Sequence, residues 1–239
     1  MTDQSLANED VLWDLESLGK ARRLGDWMFS QFAADAKGSV VEIGAGIGTF
    51  SARLLAAGVE RLLLIEPDDR CADALVERFA EEPRVTVVRE ELPNAAALLD
   101  RPGTFDFVLC QNVLEHVHDD YRAAEVMASC LRPGGRLGIL VPAGPRLFGS
   151  LDRRYGHERR YTRSRLRDLL ERAQLNVADL YSFNALGIPG WVVKSRTGAA
   201  SLGTRSLAAY EMLLPLWRPI EDRLRLPWGL SLIAHGERP

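Results

Sequence analysis

The chain has 239 residues, of which 46% are hydrophobic, enough to bury the core of one large domain or of a domain with an appendage. Its formal net charge of −3 argues against nucleic acid as a partner. Three widely separated cysteines argue against a disulfide framework, and no segment reaches the roughly 20 apolar residues of a membrane-spanning helix. The polar start is unlike a secretory signal, so we expect a cytoplasmic protein.

The first segment, residues 1–36, is predicted to be helical. Between residues 10 and 34 the apolar side chains fall mostly at helical spacing. Gly19 and Gly25 interrupt this pattern, so we expect one or two helices packed on the edge of the core.

Residues 37–183 alternate between short apolar runs and helical patterns. Such alternation predicts an α/β fold with a doubly wound, Rossmann-like sheet, mostly parallel and covered by helices on both faces. A turn is predicted at Arg132–Gly135. The predicted strands are 39–43, 61–65, 85–88, 105–110 and 136–141, and the predicted helices are 49–57, 68–80, 94–99 and 120–131.

Beyond residue 142 the pattern changes. A long loop at 143–161 is rich in arginine and glycine, and a helix at 162–174 and a strand at 175–183 follow. Residues 184–228 read as a helical insertion with a helix over 202–224, and 229–239 as a last, antiparallel strand and a tail. An insertion between two late strands is a suitable place for a substrate cap.

A glycine-rich turn follows the first strand at Gly44, Gly46 and Gly48. Glycine permits a sharp turn and lets a ligand lie against the backbone. Dinucleotide-binding proteins have the spacing G-x-G-x-x-G, whereas Thr49 stands at the third glycine position here. Glu66 ends the second strand, where a carboxylate can accept hydrogen bonds from ribose hydroxyls. Dinucleotide-binding enzymes share this feature, so Glu66 alone does not distinguish them from other nucleotide-binding proteins.

Four motifs occur in order. They are Glu42-x-Gly44-x-Gly46-x-Gly48, Ile65-Glu66-Pro67, Phe105–Val108 with Asn112–His116, and Leu131–Leu137. Together they resemble the class I S-adenosylmethionine-dependent methyltransferases over residues 38–142. The segment Asp152–Tyr161 looks like a subgroup of small-molecule methyltransferases from sugar and natural-product pathways.

This resemblance implies S-adenosylmethionine as the cofactor and assigns residues to its parts. The turn would face the methionine part, the acid ending the first strand would hold its ammonium, and the acid ending the second would bind the ribose. Either acid of the Glu90–Glu91 pair could reach the adenine. The implied cofactor residues are Glu42, Gly44, Ala45, Gly46, Gly48, Glu66, Pro67, Glu90, Glu91, Leu92, Gln111 and Asn112.

Two histidines are candidate catalytic residues. A hydroxyl acceptor must lose its proton, and histidine is the natural base near neutral pH. His157 lies in the loop where substrate should enter, as a base, a substrate contact or a brace of the loop. His116 follows the fourth strand and could instead brace the loop there.

Arginines crowd the stretch after the fifth strand. Because arginine pairs bidentately with carboxylate and phosphate, they suggest an anionic substrate, although arginine–carboxylate bracing is the alternative. No carboxylates cluster in sequence around Asn112, so no metal is predicted. The predicted substrate-binding residues are Arg153, Arg154, Tyr155, Arg159 and Arg160.

The apolar pattern within 202–225 is flanked by Arg218, Arg223 and Arg225. It fits a lid, a homodimer surface, a peripheral membrane contact or simple core packing. The resemblance implies methyl transfer by in-line displacement to a small-molecule, sugar- or lipid-linked acceptor, at oxygen in preference to nitrogen or carbon. An NAD-dependent oxidoreductase and a non-catalytic cofactor-binding regulator are the alternatives.

Overall fold

The structure is a computed structural model that describes residues 21–197 and 204–239. The strands are β1 (Ser39–Ile43), β2 (Arg61–Ile65), β3 (Val85–Val88), β4 (Phe105–Gln111), β5 (Leu131–Pro142), β6 (Asn176–Phe183) and β7 (Ser231–Glu237). The α-helices are α1 (Arg22–Ser30), α2 (Thr49–Ala56), α3 (Asp69–Arg78), α4 (Ala96–Leu99), α5 (Asp120–Cys130), α6 (Ser150–Arg154), α7 (Arg163–Arg172), α8 (Gly187–Thr197) and α9 (Thr204–Leu224).

The seven strands form one sheet in the order β3-β2-β1-β4-β5-β7-β6. Strands β1 to β5 are paired in parallel, and β7 lies antiparallel between β5 and β6. The chain moves outward in opposite directions from β1 and β4, so the topological switch point lies between these two strands. Ligands of doubly wound sheets bind at this point, beyond the carboxyl ends of the strands. The predicted fold class is confirmed.

The two faces of the sheet bury different side chains of the same strands because the side-chain direction alternates along a strand. Val40 of β1 joins the core cluster on the face covered by α1 and α2, whereas Val41 joins the cluster on the face covered by α5 and α7. Leu62 and Leu63 of β2 divide in the same way. Burial of each such side chain contributes about 1.5–3 kcal/mol.

Local structure departs from the sequence prediction in four places. Helix α4 begins at Ala96 rather than at residue 94, and the turn at Arg132–Gly135 is a bulge within β5, since the pairing jumps from Phe105–Leu131 to Phe107–Arg136. The expected long loop contains a 3-10 turn at Pro145–Leu147 and helix α6. Helix α8 was not predicted, because its glycines and its proline are poor helix residues. Proline is nevertheless tolerated in the first turn of a helix.

Helices α1 and α9 are held together at one edge of the core. The Glu211 carboxylate of α9 accepts the backbone N–H groups of Arg23 and Leu24 at 3.0 and 2.9 Å. The Trp27 indole donates to Asp222 at 2.8 Å. The part of the predicted N-terminal helical segment before residue 21 lies outside the described residues, as do residues 202–203 of the predicted late helix.

The long helix α9 has two apolar faces. Leu214 is buried against the core, whereas Met212 and Leu216 are each 74% exposed on the opposite side. Among the residues that the structure describes, no helix combines the length and the apolar character needed to cross a bilayer.

Candidate functional site

Two adjoining cavities lie beyond the carboxyl ends of the central strands. One, of about 590 Å³, is lined from the ends of β2 and β3. The other, of about 450 Å³, lies against α8 and α9. They share Gly44, Gly46, Asn112 and His116, so together they form one continuous site at the switch point. We refer to them as the strand-end cavity and the helix-covered cavity.

The turn after β1 is shaped by glycines with left-handed backbone conformations. The φ angles of Gly44, Gly46 and Gly48 are +68°, +53° and +80°, a region that costs an L-residue about 1–2 kcal/mol. A Cβ added at Gly44 would meet the Cγ2 atom of Val113. The turn therefore requires glycine both for its conformation and for its close approach to the chain beyond β4.

The two acids at the strand ends are buried and hydrogen-bonded. Glu66 accepts the backbone N–H of Gly46 at 2.7 Å and that of Asp68 at 3.0 Å, which ties the turn to the end of β2. Glu42 accepts the Ser51 hydroxyl at 2.5 Å. Burial raises the pKa of Glu42 to about 8, although the hydrogen bond from Ser51 opposes this shift. Burial also raises the pKa of Glu66.

The loop after β3 lines the strand-end cavity as the resemblance implies. Glu90, Glu91 and Leu92 all border this cavity, opposite Pro67. The Glu90 carboxylate accepts the backbone N–H of Ala97 at 2.9 Å and so caps the first turn of α4. Of the pair, Glu90 is therefore engaged in capping α4, whereas Glu91 is not.

At the end of β4, Gln111 lines the helix-covered cavity and Asn112 lines both cavities. Asn112 has a φ of +52°, and its N–H donates to the Leu140 carbonyl at 2.9 Å. The amide oxygen and nitrogen of Gln111 are buried and have no hydrogen-bond partner among the described residues. Buried polar atoms of this kind are costly unless a ligand or water satisfies them, so the Gln111 amide indicates a ligand contact.

A polar cluster stands at one end of the helix-covered cavity and consists of Glu115, His116 and His157. The two imidazole rings are 4.9 Å apart and nearly perpendicular. The Nε2 atom of His157 lies 4.0 Å from the Glu115 carboxylate. The Nδ1 atom of His157 lies 2.9 Å from the Asp152 carboxylate. This contact fixes the orientation of the His157 ring.

Backbone and side-chain hydrogen bonds hold the two segments of this cluster together. The N–H of Glu158 donates to the carbonyl of Glu115 at 2.8 Å, and the Tyr161 hydroxyl donates to the carbonyl of Leu114 at 3.0 Å. Arg159 donates to the Val117 and His118 carbonyls. The loop at 156–161 is thus fastened along the segment that follows β4.

The protonation of this cluster is set mainly by burial. Burial raises the pKa of Glu115 to about 8, and the nearby charge of Arg160 opposes the shift only in part. Burial and the neighbouring His157 lower the pKa of His116 to about 4. For Asp152, hydrogen bonds from His157 and Arg160, with the charge of Arg160, outweigh the effect of burial and lower its pKa.

The predicted substrate-binding residues do not come together. Tyr155 and Arg160 line the helix-covered cavity, but Arg153, Arg154 and Arg159 lie outside both cavities. Arg160 is buried, donates to Asp152 at 2.7 Å and to the Ala143 carbonyl at 2.9 Å, and so serves as an internal brace. The bracing alternative therefore describes Arg159 and Arg160 better than a cluster open to an anion.

The remaining walls of the helix-covered cavity are largely apolar and aromatic. Trp191 of α8 is 9% exposed, and the Arg160 guanidinium lies 4.5 Å from its ring centroid. The sequence predicted a substrate cap in residues 184–228 but did not identify these individual side chains, because they come from segments far apart in the chain. The apolar and aromatic lining residues are Leu24, Met28, Phe50, Phe183, Leu186, Trp191, Leu207, Tyr210 and Leu230.

Sequence reasoning also assigned no role to Glu115. The available signal was its position, since this charged residue directly follows Val113 and Leu114. Leu114 lies within the core and Val113 packs against it. The prediction of no metal rested on acids near in sequence, whereas this cluster depends on His157, which the fold brings from 41 residues further along the chain.

The sequence of this chain is similar to those of known methyltransferases. A protein family described as a methyltransferase domain matches residues 20–180. The ubiquinone biosynthesis O-methyltransferase of Methylococcus capsulatus is 32% identical over 113 residues, covering 47% of this chain and 43% of the relative. An uncharacterized methyltransferase of Mycobacteroides abscessus is 33% identical over 136 residues, covering 55% and 48%. Each match thus spans less than half of the relative's length.

Solved structures share the fold. An S-adenosylmethionine-dependent methyltransferase from Mesorhizobium loti superposes with a TM-score of 0.61 at 13% identity, covering 85% of this chain and 93% of the other. A putative one from Listeria monocytogenes gives a TM-score of 0.62 at 13% identity, with coverage of 90% and 99%.

Proposed function

The chain belongs to the class I S-adenosylmethionine-dependent methyltransferases, and we propose that it methylates a hydroxyl group of a largely apolar small molecule. S-adenosylmethionine is its cofactor. This family membership removes the NAD-dependent oxidoreductase alternative. The acceptor and the atom methylated are the proposed part.

The residues around the ends of β1 and β2 fit this cofactor. Gly44 leaves space that a Cβ would fill, and Glu66 and Glu42 place two buried carboxylates where the family binds the ribose and the methionine ammonium. The raised pKa of Glu42 fits a carboxylate that is completed by a cationic ligand. Of the cofactor residues that the resemblance implies, all but Gly48 line one or both of the two cavities.

The acceptor's character is argued from the helix-covered cavity. Its walls are mainly aliphatic and aromatic, and its polar lining includes the cluster of Glu115, His116 and His157. A cavity of this kind suits an apolar body with few polar groups that fix its orientation. The orphaned carboxylate of Glu115 accepts hydrogen bonds, which favours an acceptor that carries a hydroxyl at that end.

Bound S-adenosylmethionine supplies an electrophilic methyl group on sulfur. The chain has to hold the acceptor oxygen in line with that methyl, and such orientation is worth up to roughly 7–11 kcal/mol in well-aligned systems. Asn112 borders both cavities, and Gln111 beside it lines the helix-covered cavity together with the polar cluster. His157 is the group that can take the hydroxyl proton there, because burial keeps Glu115 mostly protonated at neutral pH.

An acceptor with a lipid chain is one form of this proposal. Leu207 and Tyr210 of α9 line the helix-covered cavity, while Met212 and Leu216 of the same helix are exposed. Several relatives that match part of this chain are O-methyltransferases of ubiquinone biosynthesis, which supports a small-molecule acceptor. Contact of 202–225 with a membrane or with a second copy of the chain stays a prediction.

The test uses methyl-labelled S-adenosylmethionine with an extract of the native cells, separated into organic and aqueous fractions. We expect label in an organic-soluble product that mass spectrometry identifies as a methyl ether. Excess S-adenosylhomocysteine should abolish labelling. Label only in amines, at carbon or in water-soluble anions would contradict the proposal, and cofactor binding without any labelled product would favour a non-catalytic regulator.

A further inference from the structure

The polar cluster of Glu115, His116 and His157 has the composition of a metal site. We propose that these three side chains bind one divalent transition-metal cation at the end of the helix-covered cavity. Two histidines and one carboxylate with open positions on the cavity side form the facial arrangement that holds Fe(II) and related cations. The proposal replaces the sequence-based expectation that no metal is present.

The ligand atoms are already gathered. One from each residue of the cluster lies within 4.8 Å of the others. A cation with bonds of about 2.0–2.2 Å separates its ligand atoms by about 3–3.4 Å, so binding requires each side chain to move by about an ångström or less. Such a movement needs no change of the backbone. Within 21–197 and 204–239 no other group of three potential ligands is gathered in this way.

The outer contacts of the two histidines are those of metal ligands. The Nδ1 atom of His157 is held by Asp152, which leaves Nε2 directed toward Glu115. The Nδ1 atom of His116 faces Gly156, 3.9 Å from where a Cβ of that residue would lie. A carboxylate or carbonyl behind the ligating imidazole fixes its orientation and makes the other nitrogen a better donor.

The surroundings of the Glu115 carboxylate indicate a missing ligand independently of the histidine contacts. The Glu115 side chain is fully buried, and no other described residue donates a hydrogen bond to either carboxylate oxygen. The nearest strong cation, Arg160, directs its hydrogen bonds to Asp152 and to the Ala143 carbonyl instead. A buried carboxylate without a partner is costly, and a bound cation would remove that cost.

The cation would face the space where the acceptor hydroxyl is expected. An oxygen that coordinates a divalent cation ionises more readily than a free one, so the three side chains would act as ligands rather than as bases. This consequence rests on the proposed function. The metal site itself does not, because the experiment below needs neither cofactor nor acceptor.

The experiment is a titration of the EDTA-treated full-length protein with Co²⁺, followed by the visible d–d absorption and by the metal content after desalting. We expect one equivalent to bind, and Zn²⁺ to displace it. Glu115→Gln and His157→Gln should each weaken Co²⁺ binding by roughly a hundredfold, since each removes a ligand. His118→Ala is the matched control because His118 is 95% exposed and pairs with Glu158 outside the cluster.

Thermal melts of all variants check that each is folded. Absence of Co²⁺ binding by the folded wild-type protein at millimolar concentration would overturn the proposal. Equal affinity in wild type, Glu115→Gln and His157→Gln would do so as well, because the bound metal would then lie elsewhere. If one ligand variant fails to fold, the other and the wild-type stoichiometry still decide the matter.

Discussion

In the strand-end cavity, the buried acid Glu66 is bonded to the protein itself. It accepts two backbone N–H groups, and Glu42, which borders the helix-covered cavity beside the glycine turn, likewise accepts a hydroxyl. In the helix-covered cavity, both carboxylate oxygens of Glu115 and both amide atoms of Gln111 have no hydrogen-bond partner among the described residues. The first cavity is therefore complete before its ligand arrives, whereas the second is completed by what binds to it.

The difference follows from how each cavity is built. The strand-end cavity is formed by residues that directly follow adjacent parallel strands, so the sheet fixes their positions. The helix-covered cavity also borders strand ends, but it is enclosed by α8, α9 and the segment that contains His157, which the sheet does not align. The first should be sensitive to backbone changes, and the second to side chains that fill or polarise it.

The largest effect is expected from Gly44→Ala. The substitution strains a left-handed residue and drives a methyl group against Val113, so affinity for S-adenosylhomocysteine should fall on the order of 100-fold. Calorimetric titration measures it. Gly58→Ala is the matched control, since its φ is +89° and no described atom outside its chain neighbours lies within 4 Å of the added Cβ. If both variants lose affinity equally, backbone strain alone is the cause.

Glu66→Ala should have the next largest effect. The variant loses the acceptor of the Gly46 and Asp68 N–H groups and of the ribose hydroxyls, and each charged hydrogen bond is worth about 1.5–3 kcal/mol. Cofactor affinity should fall by roughly 10- to 100-fold. Exposed Glu60→Ala serves as the control. Unchanged binding in Glu66→Ala would remove this residue from the site.

Trp191→Ala probes the other cavity. Loss of this aromatic wall should raise the KM for the acceptor roughly tenfold while leaving the cofactor affinity unchanged, because the ring borders only the helix-covered cavity. Trp228→Ala, at a tryptophan that is 61% exposed, is the control. A loss of cofactor affinity in Trp191→Ala would show that the two cavities are not separable.

The smallest expected effect is the release of a proton from Glu42 when the cofactor binds. The Glu42 pKa of about 8 means that this residue is mostly protonated at pH 7, and a cationic amine bound beside it favours the carboxylate. Cofactor binding at pH 7 should therefore release a proton, and affinity should rise with pH up to about 8. Calorimetry in buffers of different ionisation enthalpy measures this release, which Glu42→Gln should abolish.

The same group gives a check on the cofactor-free protein. The folded-state pKa lies above the reference value of 4.5, so the folded state holds more protons than the unfolded state between about pH 4.5 and 8. The free energy of unfolding should fall as pH rises through this range, and Glu42→Gln should flatten that dependence. An unchanged slope would show that Glu42 ionises normally.

The sequence by itself determined the fold class and predicted which residues gather at the carboxyl ends of the central strands. Glycine spacing, the acids that end β1 and β2, and the alternation of strands and helices are local signals, and parallel strands necessarily bring their carboxyl ends to one edge. The family match is consistent with that assignment. Local sequence signals could not predict helix α8 or the bulge in β5, because tertiary packing overrides weak secondary-structure propensity.

Only the tertiary structure decided the acceptor half. His157 meets Glu115 and His116 because hydrogen bonds fasten the loop at 156–161 to the segment after β4, a pairing that no spacing rule contains. Arg159 and Arg160 looked available to an anion in the sequence, yet carboxylates and carbonyls from other segments take up their hydrogen bonds. The partner of a side chain far away in the sequence is set by the packing of the whole chain.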